Sequence, residues 1–247
     1  MPSLESALGG NFNSLYGEVV TYDIYEVRNV LDIVSVNDPN YVHWKGHTGI
    51  DFVPDTVLDL GANVGIFTRY AHELWPNALI VAIEPNEGNH AVFEEHTPKT
   101  DKIVLLKNAI GSGQIYHCNN AINGAHEVYL SKGIGYNQLA FDTLKQSGDV
   151  VTSKVNPIML TDLKKYIKGK VVLKLDIEGN ETVIFNDPAS MEMLKTFDYI
   201  AIELHYFASD GSVLEAVKAK TAEALASLNE THNTRYDHIY FYATKKR

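Results

Sequence analysis

Short runs of apolar residues alternate with amphipathic stretches of helical spacing from Val57 to the end of the chain. Strands that are almost continuously apolar are typical of a parallel sheet, because helices cover both of its faces. The alternation therefore predicts an α/β fold with a doubly wound, mostly parallel sheet and helices on both faces. The predicted strands are residues 57–60, 79–83, 103–106, 171–177, 199–204 and 239–243, and the predicted helices are 65–74, 86–96 and 213–228.

Two parts of the chain do not follow this alternation. Residues 11–56 are rich in Tyr, Val and Asp, and residues 111–160 hold many Gly, Asn and Ser, with short hairpins expected at 127–130 and 150–155. A chain of 247 residues fits one α/β domain. We expect a single domain over residues 1–247, with an N-terminal extension (about 1–52) and an insertion (about 111–160).

The net charge of the chain limits the classes of partner that it is expected to bind. Lys and Arg number 21 and Asp and Glu 31, which gives a net charge of −10 at pH 7. Nucleic acids and anionic membranes both attract clustered Lys and Arg, so neither is an expected partner. A small molecule is the expected partner, and a homo-oligomer is compatible with the sequence.

The single cysteine, Cys118, cannot form an internal disulfide. The sequence shows no signal peptide and no apolar run of the roughly 20 residues that a membrane helix needs. A reducing compartment fits these features, so we expect a cytoplasmic protein.

The first predicted strand runs into a glycine turn that contains Asp59, Gly61, Asn63 and Gly65. Such a turn lets a ligand lie against the backbone, but the pattern also occurs in tight turns that bind nothing. A carboxylate at Asp59 would repel a pyrophosphate and attract the sulfonium and ammonium groups of S-adenosylmethionine. The second glycine of the dinucleotide fingerprint is replaced by Asn63. Both observations favour S-adenosylmethionine over NAD.

Two residues at later strand ends fit an adenosine ligand. Glu84 lies 84 − 61 = 23 positions after Gly61, close to the ~20 expected for an acid that binds ribose hydroxyls. The alternative is a loop acid or a helix cap. Asn108 ends the third strand, where its side chain and the Ala109 backbone would read the adenine edge, unless Asn108 is a plain turn residue.

Charged residues cluster at the ends of two further strands. Lys174, Asp176 and Glu178 alternate along one strand, and Glu203 and His205 share a face of the next. His205 or a carboxylate could serve as general base for a substrate hydroxyl. Asp176, Glu203 and His205 could instead hold a divalent cation. A structural ion pair between Lys174 and Asp176 is the third interpretation.

Five motifs in this order resemble the FkbM family of S-adenosylmethionine-dependent methyltransferases. They are Asp59-Leu60-Gly61-Ala62-Asn63-Val64-Gly65, Ile83-Glu84-Pro85-Asn86, Asn108-Ala109-Ile110-Gly111, Lys174-Leu175-Asp176-Ile177-Glu178-Gly179-Asn180-Glu181 and Ile202-Glu203-Leu204-His205. The resemblance implies a class I methyltransferase (Rossmann-like) fold with a seven-stranded sheet, and typically O-methylation. Asn180 stands where the family commonly has alanine.

With the resemblance, the leading hypothesis is O-methylation of a hydroxyl on a small molecule or sugar. Asp176, His205 and Glu178 are the candidate catalytic residues. The candidate donor-binding residues are Asp59, Gly61, Asn63, Gly65, Glu84, Pro85, Asn108 and Ala109. The alternatives are an NAD-type Rossmann oxidoreductase and a non-catalytic protein that binds an adenosyl ligand.

Overall fold

The structure is a computed structural model that describes residues 50–118, 128–131, 150–205, 215–237 and 239–247. Most of the predicted N-terminal extension and the middle of the predicted insertion lie outside these residues. The division into one domain with two additions therefore stays a prediction.

The secondary structure of the described residues alternates as predicted through the first half of the fold. The strands are β1 (Thr56–Leu60), β2 (Leu79–Ile83), β3 (Ile103–Leu106), β4 (Ala109–Ile110), β5 (Ile115–Cys118), β6 (Val128–Ser131), β7 (Val150–Thr152), β8 (Pro157–Ile158), β9 (Val171–Leu175), β10 (Tyr199–Glu203), β11 (His232–Asp237) and β12 (Tyr240–Lys245). The α-helices are α1 (Ile66–Leu74), α2 (Glu87–His96), α3 (Glu181–Phe185), α4 (Pro188–Leu194) and α5 (Glu215–Ala226), and Leu160–Tyr166 and Ser227–Glu230 are 3-10 helices. Within the described ranges, none of these helices has the length and apolar character needed to cross a membrane.

The central sheet has seven strands in the order β11-β12-β10-β9-β1-β2-β3. Neighbours from β3 to β10 are parallel, whereas β12 is antiparallel to both β10 and β11. This arrangement confirms the predicted α/β class and the mostly parallel seven-stranded sheet. The strand order reverses between β1 and β9, which is the point where doubly wound sheets bind ligands.

Different helices cover the two faces of the sheet. Successive side chains of a strand point to opposite faces. Val57 of β1 accordingly joins a cluster with Ile66 of α1, and Leu58 joins a cluster with Leu194 of α4 and Val217 of α5. Helices therefore lie on both faces, as predicted.

Two strand predictions were wrong. β9 ends at Leu175 instead of residue 177, and the φ angles of 54° at Glu178 and 108° at Gly179 show that the chain after it has left the β region. Glu178 therefore lies in a loop and not on the strand face with Lys174. The strand β11 was not located from the sequence, because this edge strand is mostly polar and carries no apolar signal.

The insertion contributes a small sheet of its own. β5 lies between β6 and β7 and pairs antiparallel with both. The two strand-like stretches expected in this region are present, but they flank β5 instead of forming separate hairpins. β4 and β8 form a second, parallel pair.

Candidate active site

The turn between β1 and α1 lies where the strand order reverses. Gly61 and Gly65 have φ angles of 83° and 86°, in the left-handed region that glycine adopts at no steric cost. A Cβ atom on Gly61 would fall well inside van der Waals contact of the carbonyl oxygen of Asp176, directly after β9. The glycine turn and the end of β9 are therefore in direct contact.

A buried lysine joins this turn to two carboxylates. Lys174 Nζ lies 3.5 Å from Asp59 Oδ1 and 3.5 Å from Asp176 Oδ2, and it donates a hydrogen bond to the Gly61 carbonyl. Asp59 is opposite Lys174 in the register of β1 and β9, and its Oδ2 accepts a hydrogen bond from Thr68 at 2.6 Å. Burial raises the pKa of Asp59, although Lys174 and Thr68 act in the opposite direction. Lys174 offsets the charge of one of the two carboxylates.

The carboxylate of Glu84 connects the glycine turn to α2. Oε2 accepts from the Asn63 amide at 2.8 Å, and Oε1 accepts from the Asn86 amide at 2.9 Å and from Asn89 Nδ2 at 3.2 Å. Burial raises the pKa of Glu84, although these hydrogen bonds lower it. Asn86 caps the N-terminus of α2 by accepting a hydrogen bond from the Gly88 amide. Glu84 thus joins the glycine turn after β1 to the loop between β2 and α2.

Four acidic side chains surround His205. Its Nε2 lies 3.5 Å from Glu178 Oε2, 3.8 Å from Asp176 Oδ1 and 3.9 Å from Glu203 Oε1, and its Nδ1 lies 3.0 Å from Glu181 Oε1. The His205 side chain is 23% exposed, so the imidazole is partly open to solvent. The structure therefore brings together the predicted catalytic residues Asp176, Glu178 and His205.

The close packing of these acidic side chains shifts the pKa values of His205 and Glu203. Burial acts to lower the pKa of His205, but Glu178 and Glu181 outweigh it and raise that pKa well above the usual histidine value. Burial and the negative charge of Asp176 raise the pKa of Glu203 to about 8. His205 and Glu203 thus bind protons more tightly than isolated side chains would, and the cluster can accept hydrogen bonds from a hydroxyl or bind a cation.

A known protein family matches most of the chain. The family model of the methyltransferase FkbM domain matches residues 59–237, from Asp59 to the end of β11. The chain belongs to the FkbM methyltransferase family. It is therefore a methyltransferase whose donor is S-adenosylmethionine, and this assignment replaces the oxidoreductase alternative.

Solved methyltransferase structures resemble the FkbM chain at low sequence identity. A candidate rRNA methylase from Clostridium thermocellum is 17% identical over 79% of this chain and 90% of that chain, with a TM-score of 0.43. The precorrin-6y C5,15-methyltransferase of Geobacter metallireducens is 15% identical over 81% and 85%, with a TM-score of 0.38. A methyltransferase from Aquifex aeolicus is 15% identical over 86% and 95%, with a TM-score of 0.37. No curated protein sequence matches the chain.

The surroundings of Asp59, a predicted donor-binding residue of this FkbM methyltransferase, could not be derived from the sequence. Its side chain has no exposed surface and contacts Thr68 and Lys174. The register of β1 and β9 places that lysine beside it. Asp59 therefore supports the glycine turn through Lys174, which binds the Gly61 carbonyl, and its contact with the donor stays a prediction.

The other predicted donor-binding residues line one edge of the sheet. Gly61, Asn63, Gly65 and Glu84 come together at the glycine turn, and Pro85 follows Glu84 directly. At the next strand end, Asn108 Nδ2 donates to the carbonyl of Asn156 at 3.1 Å, and the Ala109 amide donates to the same carbonyl at 3.3 Å. The Ala109 amide is thus already paired within the chain, and the contacts of these residues with the donor stay predictions.

Glu181 is a site residue that the sequence did not single out. Its Oε1 accepts from the Ile177 amide and its Oε2 from the Gly179 amide, both at 2.9 Å, and Oε1 also contacts His205. It is 2% exposed. The signal available in the sequence was its place in the Lys-x-Asp-x-Glu-Gly-x-Glu motif of the FkbM family, but nothing there showed that it binds the loop and the histidine together.

Asn180 attaches the inserted sheet to the catalytic loop. Its Nδ2 donates to the carbonyls of Ile110 at 2.8 Å and Tyr129 at 2.7 Å, and its Oδ1 accepts from the Ser131 amide at 3.0 Å. Alanine, common at this position in the family, has no side-chain group that could form these bonds. The insertion of this FkbM methyltransferase is therefore held beside the site by the Asn180 side chain.

Asn180→Ala should lower the free energy of unfolding by about 2 kcal/mol, because it leaves buried backbone groups of Ile110 and Ser131 without partners. Urea denaturation measures this value. Asn186→Ala is the matched control, because Asn186 is exposed and makes one local bond to Thr182; its expected cost is below about 0.5 kcal/mol. Equal costs for the two variants would contradict the proposed attachment.

Proposed function

We propose that this FkbM methyltransferase transfers the methyl group of S-adenosylmethionine to a hydroxyl of a small molecule or sugar. The observation that carries the proposal is the position of Asp176. Its backbone carbonyl lies against the Gly61 turn, and its Oδ1 lies 3.8 Å from His205 Nε2. A donor seated on the turn would thus place its methyl group beside groups that accept a hydroxyl proton.

The reaction follows from that geometry. The hydroxyl oxygen attacks the methyl carbon in line with the sulfur, an O–C bond forms, and the S–CH3 bond breaks to leave neutral S-adenosylhomocysteine. The hydroxyl proton passes to the cluster of Asp176, Glu178 and His205. Holding the two reactants in line supplies much of the rate, as it does in other bimolecular reactions that enzymes catalyse.

The negative charge around His205 supports a methyl acceptor that is neutral or cationic. Asp176, Glu178, Glu181 and Glu203 all lie around one histidine. An anionic acceptor, such as a nucleic acid, would be repelled from this edge of the sheet. We accordingly propose a small-molecule or sugar hydroxyl, with no role for nucleic acid or membrane.

Two measurements test the function. Calorimetric titration should show binding of S-adenosylhomocysteine and no binding of NADH. Incubation with methyl-labelled S-adenosylmethionine and a panel of hydroxylated small molecules and sugars should yield a methyl ether, identified by mass and by its O–CH3 resonance. Deoxy analogues of the same acceptors are the controls and should receive no label.

The outcomes separate the remaining alternatives. Label found on nitrogen or carbon would replace O-methylation with another acceptor chemistry. Binding of S-adenosylhomocysteine without transfer to any acceptor of the panel would instead favour the non-catalytic adenosyl-binding protein.

A further inference from the structure

We propose that Asp176, Glu178 and His205 form a binding site for a divalent transition-metal cation. One ligand atom from each of the three residues lies within 4.8 Å of the other two. Carboxylate oxygens suit Mn²⁺, imidazole suits Fe²⁺ and Zn²⁺, and Zn²⁺ also accepts carboxylate ligands. Glu203 was expected as the third ligand beside Asp176 and His205, but Glu178 completes the compact group.

The orientation of His205 fits a metal ligand. Its Nδ1 contacts Glu181 Oε1 at 3.0 Å, which leaves Nε2 directed at Asp176 and Glu178. Histidines that bind metals usually donate their second ring nitrogen to a carboxylate in this way. Glu181 is itself held by two backbone amides, so it is a fixed positioning residue and not a fourth ligand.

Among the described residues, one oxygen of the neighbouring Glu203 carboxylate has no hydrogen-bond partner. The Glu203 side chain is 10% exposed, and its Oε2 has no hydrogen-bond partner among the residues that the structure describes. Its Oε1 lies 3.9 Å from His205 Nε2, so the carboxyl group borders the proposed site. Buried polar groups of this kind are normally paired. A cation bound by the three ligands would place positive charge, or a coordinated water molecule, next to it.

Charge balance points in the same direction. Three carboxylates face His205 Nε2, and Lys174 contacts Asp176 from the opposite side. One imidazolium brings a single positive charge to this group, whereas a divalent cation would bring two. When bound, that cation would polarise a coordinated acceptor hydroxyl. That catalytic role rests on the proposed function, whereas the binding site itself does not.

Mn²⁺ is the probe for this site. Mn²⁺ is titrated into the full chain loaded with S-adenosylhomocysteine, and the loss of the free-ion signal in electron paramagnetic resonance counts bound metal. We expect one bound Mn²⁺ per chain. Glu178→Gln and His205→Gln should weaken binding more than tenfold, and Glu181→Gln should weaken it about 10- to 100-fold through the orientation of His205.

Glu95→Gln is the matched control, because this glutamate is 74% exposed and lies away from the cluster; it should bind Mn²⁺ as the wild type does. Circular dichroism identifies any variant that fails to fold, and the partly exposed Glu178 keeps the test open if the His205 variant does not fold. Absence of Mn²⁺ binding, or equal binding by Glu178→Gln and Glu95→Gln, would overturn the site. Methyl transfer without Mn²⁺ binding would refute the metal site and leave the proposed function intact. Mn²⁺ binding without methyl transfer would support the metal site and count against the proposed function.

Discussion

Lys174→Met should lower the free energy of unfolding by about 3–5 kcal/mol, the range found when one partner of a buried ion pair is removed. Lys174 is 8% exposed and lies between Asp59, which has no exposed surface, and Asp176. Methionine preserves most of the volume but leaves both carboxylates without the cation. It also removes the donor to the Gly61 carbonyl, so the glycine turn loses part of its support. Chemical denaturation measures the change.

Two controls show whether the loss arises from charge. Adding Asp59→Asn to Lys174→Met removes one of the two carboxylate charges that lost the lysine cation. The double variant should therefore be more stable than Lys174→Met alone. Lys220→Met replaces a lysine whose side chain is 55% exposed and should change stability by less than about 0.5 kcal/mol. If Lys174→Met is as mild as Lys220→Met, or if Asp59→Asn gives no recovery, the ion-pair account is wrong.

Apolar patterning explains which parts of the fold could be predicted. β2 was predicted with its observed limits, because it is a continuous apolar run ended by Glu84-Pro85. β11 carries the sequence HNTRYD, and its place in the sheet comes from pairing with β12. Edge strands of this kind obtain stability from their neighbours, and a pattern within one segment cannot show that.

The positions of the site residues along the chain could be predicted from the sequence, but the contacts between their side chains could not. Strand ends located Glu84, Asp176 and His205, because parallel strands end at one edge. The partner of Asp59 depends on the register of β1 against β9, which is set by the packed sheet. Glu178 reaches His205 through a left-handed turn that the predicted strand would not contain. Direct contacts in the site therefore required the three-dimensional structure.

The carboxylates of the site differ in the cation that lies beside them. Asp59 and Asp176 each have Lys174 Nζ at 3.5 Å, whereas the three glutamates around His205 have its imidazole. Lys174 therefore offsets part of the charge of Asp59, the carboxylate that favoured S-adenosylmethionine over NAD in the sequence. The glutamates outnumber the single imidazole, so the excess of negative charge is greater around His205 than beneath the glycine turn.

Gly61→Ala should disrupt the donor site by steric contact with β9. The φ angle of 83° costs an L-residue roughly 1–2 kcal/mol. The new methyl group would also overlap the Asp176 carbonyl oxygen, a backbone atom that cannot rotate away. Overpacking typically adds about 1–3 kcal/mol, so we expect a total loss of about 3 kcal/mol or more. Because the strand end must move, affinity for S-adenosylhomocysteine should fall at least tenfold.

Gly113→Ala separates these two contributions. Gly113 also has a positive φ, 68°, but a Cβ atom there would meet nothing within 4 Å. This variant should lose about 1 kcal/mol of stability and keep its affinity for S-adenosylhomocysteine, as measured by denaturation and calorimetry. A Gly61→Ala variant that resembles Gly113→Ala in both measurements would show that the turn can withdraw from β9. The close approach of Gly61 to Asp176, on which the proposed alignment of donor and acceptor depends, would then not be required for donor binding.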